Sequence, residues 1–190
     1  MDTKKYIFPL RAVIEGGLLV AMAEILGHIK LYRFPYGGSV TLMMLPIIVF
    51  ALRWGVKKGL LAGLALGILD FMLDGGIAIG WQSILGDYVI ACTLIGLAGF
   101  GKYIKGTAGV VTGTVLGCLG RFLSLWVTGA TLWGIYMPEK FLGLPMTNEW
   151  VYSLLYQLAT VGIAGVVTVI VVLLLMATPA KKLLLGSDLK

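Results

Sequence analysis

Val161-Gly162-Ile163-Ala164-Gly165-Val166-Val167-Thr168-Val169-Ile170-Val171-Val172-Leu173-Leu174-Leu175-Met176-Ala177 carries no charged side chain, and only small or hydroxyl residues interrupt its large apolar ones. Such a block suits a hydrocarbon layer about 30 Å thick, which takes roughly 20 helical residues to cross. A soluble domain has about a quarter of its residues charged. This chain of 190 residues has 13% charged and 59% hydrophobic residues, with mean hydropathy +0.98, too little polar surface to coat a soluble globule. The strands of a membrane barrel would alternate apolar and polar side chains, and no such alternation runs through the chain. The reading is an all-α, polytopic membrane protein forming a single domain over residues 1–190.

Outward from that block, six apolar segments cover residues 10–29, 40–52, 59–73, 84–101, 109–132 and 151–176. The second is short and carries Pro46, so it reads as tilted or broken. In a membrane, the backbone groups that a proline frees must be met by neighbouring helices or a water-lined cavity. No cleavable leader is expected, because residues 1–11 run into a full span without a small-x-small cleavage site in place.

Six spans put both termini on one side, and the basic residues gather there: Lys4, Lys5, Arg11, Arg53, Lys57, Lys58, Lys102, Lys105, Lys181, Lys182 and Lys190. The other side has Lys30, Arg33 and Lys140, with Arg121 inside the fifth segment. Basic residues favour cytoplasmic loops, so both termini are expected to be cytoplasmic. Removing the weak second span would scramble this asymmetry. The acids do the reverse: Asp70, Asp74, Asp87, Glu139 and Glu149 fall to the outer side, and Glu24 near the outer end of the first span. An outer cavity lined with carboxylates and few cations would attract cationic solutes. Sorting of basic residues alone would also leave acids outside, and both readings stand for Glu139 and Glu149. Asp87 lies within a span, where a carboxylate is costly and faces a cavity or a partner.

His28 is the sole histidine, and no Cys, His and acidic residues stand at zinc-like spacing, so neither a metal nor a cofactor is expected. No GxxxxGK[ST] phosphate loop is present, so the chain does not itself hydrolyse ATP. A serine nucleophile would lack a base, and nothing argues for an enzyme. Cys92 and Cys118 sit in different apolar blocks and read as packed thiols. The net charge of +6 reads as topological and calls for no nucleic acid. Trp81, Tyr88, Trp126, Trp133, Tyr136, Trp150, Tyr152 and Tyr156 fall toward the outer side, where an aromatic belt at the lipid headgroups accounts for most. Gly86-Asp87-Tyr88 and Tyr152-Ser153-Leu154-Leu155-Tyr156-Gln157 interleave rings with polar groups. On a helix Tyr152 and Tyr156 share one face, with Ser153 and Gln157 in the adjacent stripe. Such faces suit a flat heteroaromatic ligand. Gly17 and Ala21 make a small-xxx-small step that would let another helix approach closely. Gly63 and Gly67 repeat it and read as internal packing.

Several stretches in order carry a family resemblance: Tyr36-Gly37-Gly38-Ser39-Val40-Thr41-Leu42, Met44-Leu45-Pro46-Ile47, Ala51-Leu52-Arg53-Trp54-Gly55-Val56-Lys57-Lys58-Gly59-Leu60-Leu61-Ala62-Gly63-Leu64, Gly86-Asp87-Tyr88, Arg121-Phe122-Leu123-Ser124, Gly129, and Val151-Tyr152-Ser153-Leu154-Leu155-Tyr156. Over nearly its whole length the chain resembles the thiamine-specific substrate-binding membrane subunits (S-components) of energy-coupling factor vitamin transporters. The resemblance implies a six-helix subunit in the prokaryotic cell membrane, surrounded by lipid, with a vitamin pocket near the outer face. It also implies a lid around residues 37–41. A membrane coupling subunit and two cytoplasmic ATPase subunits would supply the energy, the coupling subunit meeting small residues of the first helix, here Gly17 and Ala21.

Within the pocket the resemblance assigns ligand contacts to Asp87, where the family usually has glutamate, and to Tyr88, Trp133 and Tyr152. Gln157 stands where asparagine is usual, and Leu125 where histidine is usual. Tyr36 and Trp126 are further candidates. Thiamine is the implied ligand, with a thiamine precursor or another small heteroaromatic or cationic solute as the alternative. A self-sufficient channel or secondary transporter is a reading from another class, against which the lack of an internal repeat counts. A membrane enzyme acting on a lipid is a third.

Overall fold

The computed structural model describes residues 9–34, 38–73 and 78–186. Six helices make the body: α1 Leu10–His28, α2 Met44–Trp54, α3 Val56–Leu73, α4 Trp81–Tyr103, α5 Gly106–Thr131 and α6 Glu149–Met176. A short α7, Lys181–Leu184, follows. α4, α5 and α6, at 23, 26 and 28 residues, are long and apolar enough to cross a membrane. At 1.5 Å per residue they extend about 35 to 42 Å. α1 and α3 are shorter, at 19 and 18 residues, and carry Arg11, Glu15 and Glu24, and Lys57, Lys58 and Asp70.

The expected break at Pro46 does not occur. Pro46 falls in the first turn of α2, where a backbone N–H has no acceptor within the helix. α2 is short for another reason: it is walled in by protein. Met44, Pro46, Ile47, Ile48, Phe50, Ala51, Leu52 and Arg53 are all buried, so this helix forms the middle of the bundle. It ends at Gly55, whose φ of 89° and N–H bond to the Ala51 carbonyl (2.7 Å) turn the chain directly into α3.

Glycine sets the helix spacing. A Cβ at Gly63 would stand 2.2 Å from the Cys92 carbonyl oxygen, and one at Gly67 2.4 Å from that of Tyr88, so α3 lies backbone to backbone on α4. Gly101 and Gly113 do the same between α4 and α5. Both cysteines are free. At the end where α1 begins, Arg53 is 2% exposed and needs a partner. Its Nε and Nη2 donate to the two oxygens of Glu15 at 2.7 and 3.1 Å, and the Trp54 indole adds a bond at 2.8 Å. This clasp ties α1 to α2. At the opposite end two hairpins cap the bundle. β1 (Tyr32–Arg33) pairs with β2 (Ser39–Val40), and β3 (Lys140–Phe141) with β4 (Leu144–Pro145). The second turns at Leu142 and Gly143, whose φ values of 52° and 81° are the pair a type I′ hairpin requires.

Candidate ligand-binding site

Beneath the hairpins lies a cavity of about 550 Å³, where the C-terminal ends of α1, α3 and α5 meet the N-terminal ends of α2, α4 and α6. Asp87 reaches it from a wide π turn, Ile84–Ile90, inside α4. Such turns shift the side-chain phase by about one residue and recur at functional sites. Three donors converge on Asp87. Oδ2 accepts from the Ser83 hydroxyl and from the Trp133 indole N–H, each at 2.7 Å, and Oδ1 accepts from the Thr128 hydroxyl. The bond to Asp87 fixes the Trp133 ring, which also lies 6.1 Å from Tyr136. Next to it Tyr88, 8% exposed, packs edge-on against Phe71.

The facing wall comes from α5 and α6. A Cβ at Gly129 would stand 2.4 Å from the Ser153 hydroxyl, so glycine lets the two helices close up beside the cavity. Ser153 donates to the Trp126 carbonyl at 2.8 Å. The Gln157 amide is engaged by the protein at both ends: Nε2 donates to the Leu125 carbonyl (3.5 Å) and Oε1 accepts from Thr160 (3.3 Å). A second π turn, Leu158–Gly162, brings Thr160 and Val161 to the wall. Tyr152, 8% exposed, meets Phe141 of β3 edge-on at 5.4 Å.

Residues 13–184 match the model of the thiamine transporter protein family (Thia_YuaJ). The chain belongs to this family. The thiamine transporter ThiT of Bacillus subtilis (strain 168) is 32% identical over 189 residues, covering 93% of this chain and 94% of that one. ThiT of Lacticaseibacillus paracasei is 30% identical over 196 residues, covering 94% and 92%. A solved structure of ThiT from Listeria monocytogenes shares the fold, with a TM-score of 0.79 over 92% of this chain and 97% of that one, at 23% identity.

Five residues that the family resemblance singled out, Asp87, Tyr88, Trp133, Tyr152 and Gln157, line this one cavity. Trp126 does not. Its indole turns away, donating to the Trp150 carbonyl at 3.1 Å and packing edge-on against that ring. Tyr36 lies outside the described residues. Gly17 and Ala21 are exposed on α1, and nothing comes within 4 Å of a Cβ built on Gly17.

Reasoning from sequence gave no site role to Arg121 or Thr160, which also line the wall, or to Thr128, which bonds Asp87; Tyr156, on the face it did single out with Tyr152, lines the wall too. Arg121 had a signal of its own, as a lone cation inside an apolar helix; its guanidinium meets the sulfurs of Met43 (3.3 Å) and Cys92 (3.2 Å). Its presence corrects the expected charge of the cavity. Lys30 and Arg121 line the wall with Asp70 and Asp87, so cations match carboxylates there rather than being few. No group of three or more His, Cys, Asp or Glu among the described residues is placed to hold a metal ion.

Proposed function

We propose that this chain captures thiamine at the outer face of the cell membrane, as the substrate-binding subunit of an energy-coupling factor transporter. One observation carries the reading: in a chain of the thiamine transporter family, a carboxylate and an indole ring are bonded to each other on the wall of a 550 Å³ cavity. That volume falls within the usual range for small-molecule sites. Thiamine joins a cationic thiazolium to a flat aminopyrimidine. Asp87 would face the cation, an attraction of roughly 4 kcal/mol at 4 Å near a protein surface. Trp133, Tyr88 and Tyr152 would supply ring contacts. The excess of basic residues at the end opposite the cavity supports placing that end in the cytoplasm, and the cavity outside. Energy would come from a coupling subunit and two ATPases, the former meeting α1 at Gly17 and Ala21.

Leu125, and a Gln157 amide with one donor and one acceptor site already bonded to protein, favour a second ligand, a pyrimidine or thiazole precursor that needs fewer polar contacts to its ring. Titration of the purified chain, followed by tryptophan fluorescence, separates the two. Saturable quenching by thiamine at nanomolar concentration is expected. A response only to one of the halves would replace the substrate. Asp87→Asn is expected to weaken binding about 10- to 100-fold in a chain that stays folded, in line with the cost of an unpaired buried polar group. Unchanged affinity would remove Asp87 from the site.

A further inference from the structure

The two hairpins come from distant parts of the chain, and one side chain touches both. The Gly38 N–H donates to the Tyr156 hydroxyl, and the Gly38 carbonyl accepts from the Phe34 N–H at 2.7 Å. The residue that extends the β1–β2 hairpin is thus the one held by α6. The Phe34 ring lies 6.3 Å from that of Tyr156. From the other hairpin Phe141, 4% exposed, stands 5.7 Å from the same ring. The fit at Gly38 is tight: a Cβ there would lie 2.2 Å from the Tyr156 oxygen and 2.9 Å from a Thr160 methyl, so one of them would have to move. Gly38 and Tyr156 both line the cavity.

We infer that Tyr156 is a positioning residue that holds the β1–β2 hairpin over the cavity, its hydroxyl through Gly38 while its ring is seated against Phe141 of the other hairpin, and so sets how fast ligand enters and leaves. The choice of ligand rests on the proposed function; the contact does not. Tyr156→Phe keeps the ring against Phe141 and removes the oxygen that Gly38 needs. One hydrogen bond contributes enough to slow opening about three- to tenfold. Release of the ligand then quickens by that factor, and because entry quickens too, affinity changes less than either rate.

The test uses the purified full chain in detergent with two readouts: hydrogen exchange at the Gly38 amide without ligand, and stopped-flow association and dissociation of thiamine. The expected result is faster Gly38 exchange in Tyr156→Phe, with both rates raised. Gly38→Ala, which pushes the hairpin off from its own side, should raise the rates similarly. Equal exchange at Gly38 in wild type and Tyr156→Phe would overturn the contact. Faster exchange with unchanged thiamine rates would overturn its role in ligand passage. Failure of wild type to bind thiamine at all would refute the proposed substrate, and the exchange readout would still decide whether Tyr156 holds the hairpin.

Discussion

Asp87 meets three donors before any ligand is considered: Ser83, Thr128 and Trp133. A carboxylate offers about four lone-pair sites, so it is oriented and nearly saturated, with little freedom beyond the direction left for a ligand. The same bonds orient Trp133, because its indole has one donor and that donor is spent on Asp87. The pair should therefore act as a unit. Trp133→Phe keeps an aromatic ring and loses the bond, and it is expected to weaken thiamine binding about three- to tenfold. In that background Asp87→Asn should cost less than it does alone, with a coupling of about 0.5–3 kcal/mol. Calorimetry on the single and double variants measures this, and strictly additive losses would show that the two side chains act separately. Asp87 was legible in the sequence because a carboxylate inside an apolar segment stands out. Its donors were not, since two of them lie 41 and 46 residues further along the chain.

Among elements, glycine decides which helices approach and which do not. Gly63 and Gly17 share the same small-xxx-small pattern in sequence, yet one faces the α4 backbone and the other faces outward. Gly63→Ala would press a Cβ against the Cys92 carbonyl, and is expected to cost about 1–3 kcal/mol through the separation of α3 from α4. Gly17→Ala meets nothing and gains up to about 1 kcal/mol of helix propensity. Thermal unfolding in detergent should fall by several degrees for the first and hold or rise for the second. An equal response would mean that the α3–α4 seam is looser than the backbone distances imply. The helices themselves were legible, because each is an apolar block closed by polar or glycine-rich connections. The π turns were not: one extra residue per turn changes which side chains face the cavity without changing composition. Nor was α2 legible as a central helix, since an 11-residue apolar run with a proline reads the same whether it is buried by protein or broken in lipid.

The described residues are polar along the helix axes: one end carries the cavity and hairpins, the other the start of α1, the Glu15–Arg53 clasp and most of the described basic residues. Capture at one end does not move a ligand to the other, and the chain has no phosphate loop with which to drive that step. On the proposed function, the work enters through a surface that meets the coupling subunit. α1 offers one along Gly17 and Ala21, where Leu18, Met22 and Ile25 stand exposed beside the small residues. A stripe of small residues between large ones lets a partner helix come close. Ala21→Trp would fill that stripe without touching the cavity, which lies at the far end of α1 beyond Gly27. Thiamine binding by the isolated chain should stay at the wild-type level, because an added indole on an exposed helix face disturbs no internal contact. Coupled uptake in membranes that also contain the coupling subunit and ATPases should be lost, because the two helices can no longer meet. Uptake that survives would place the docking face elsewhere on the bundle. Binding lost together with uptake would make Ala21 part of the fold, and would leave the route by which energy enters to be sought on the basic end.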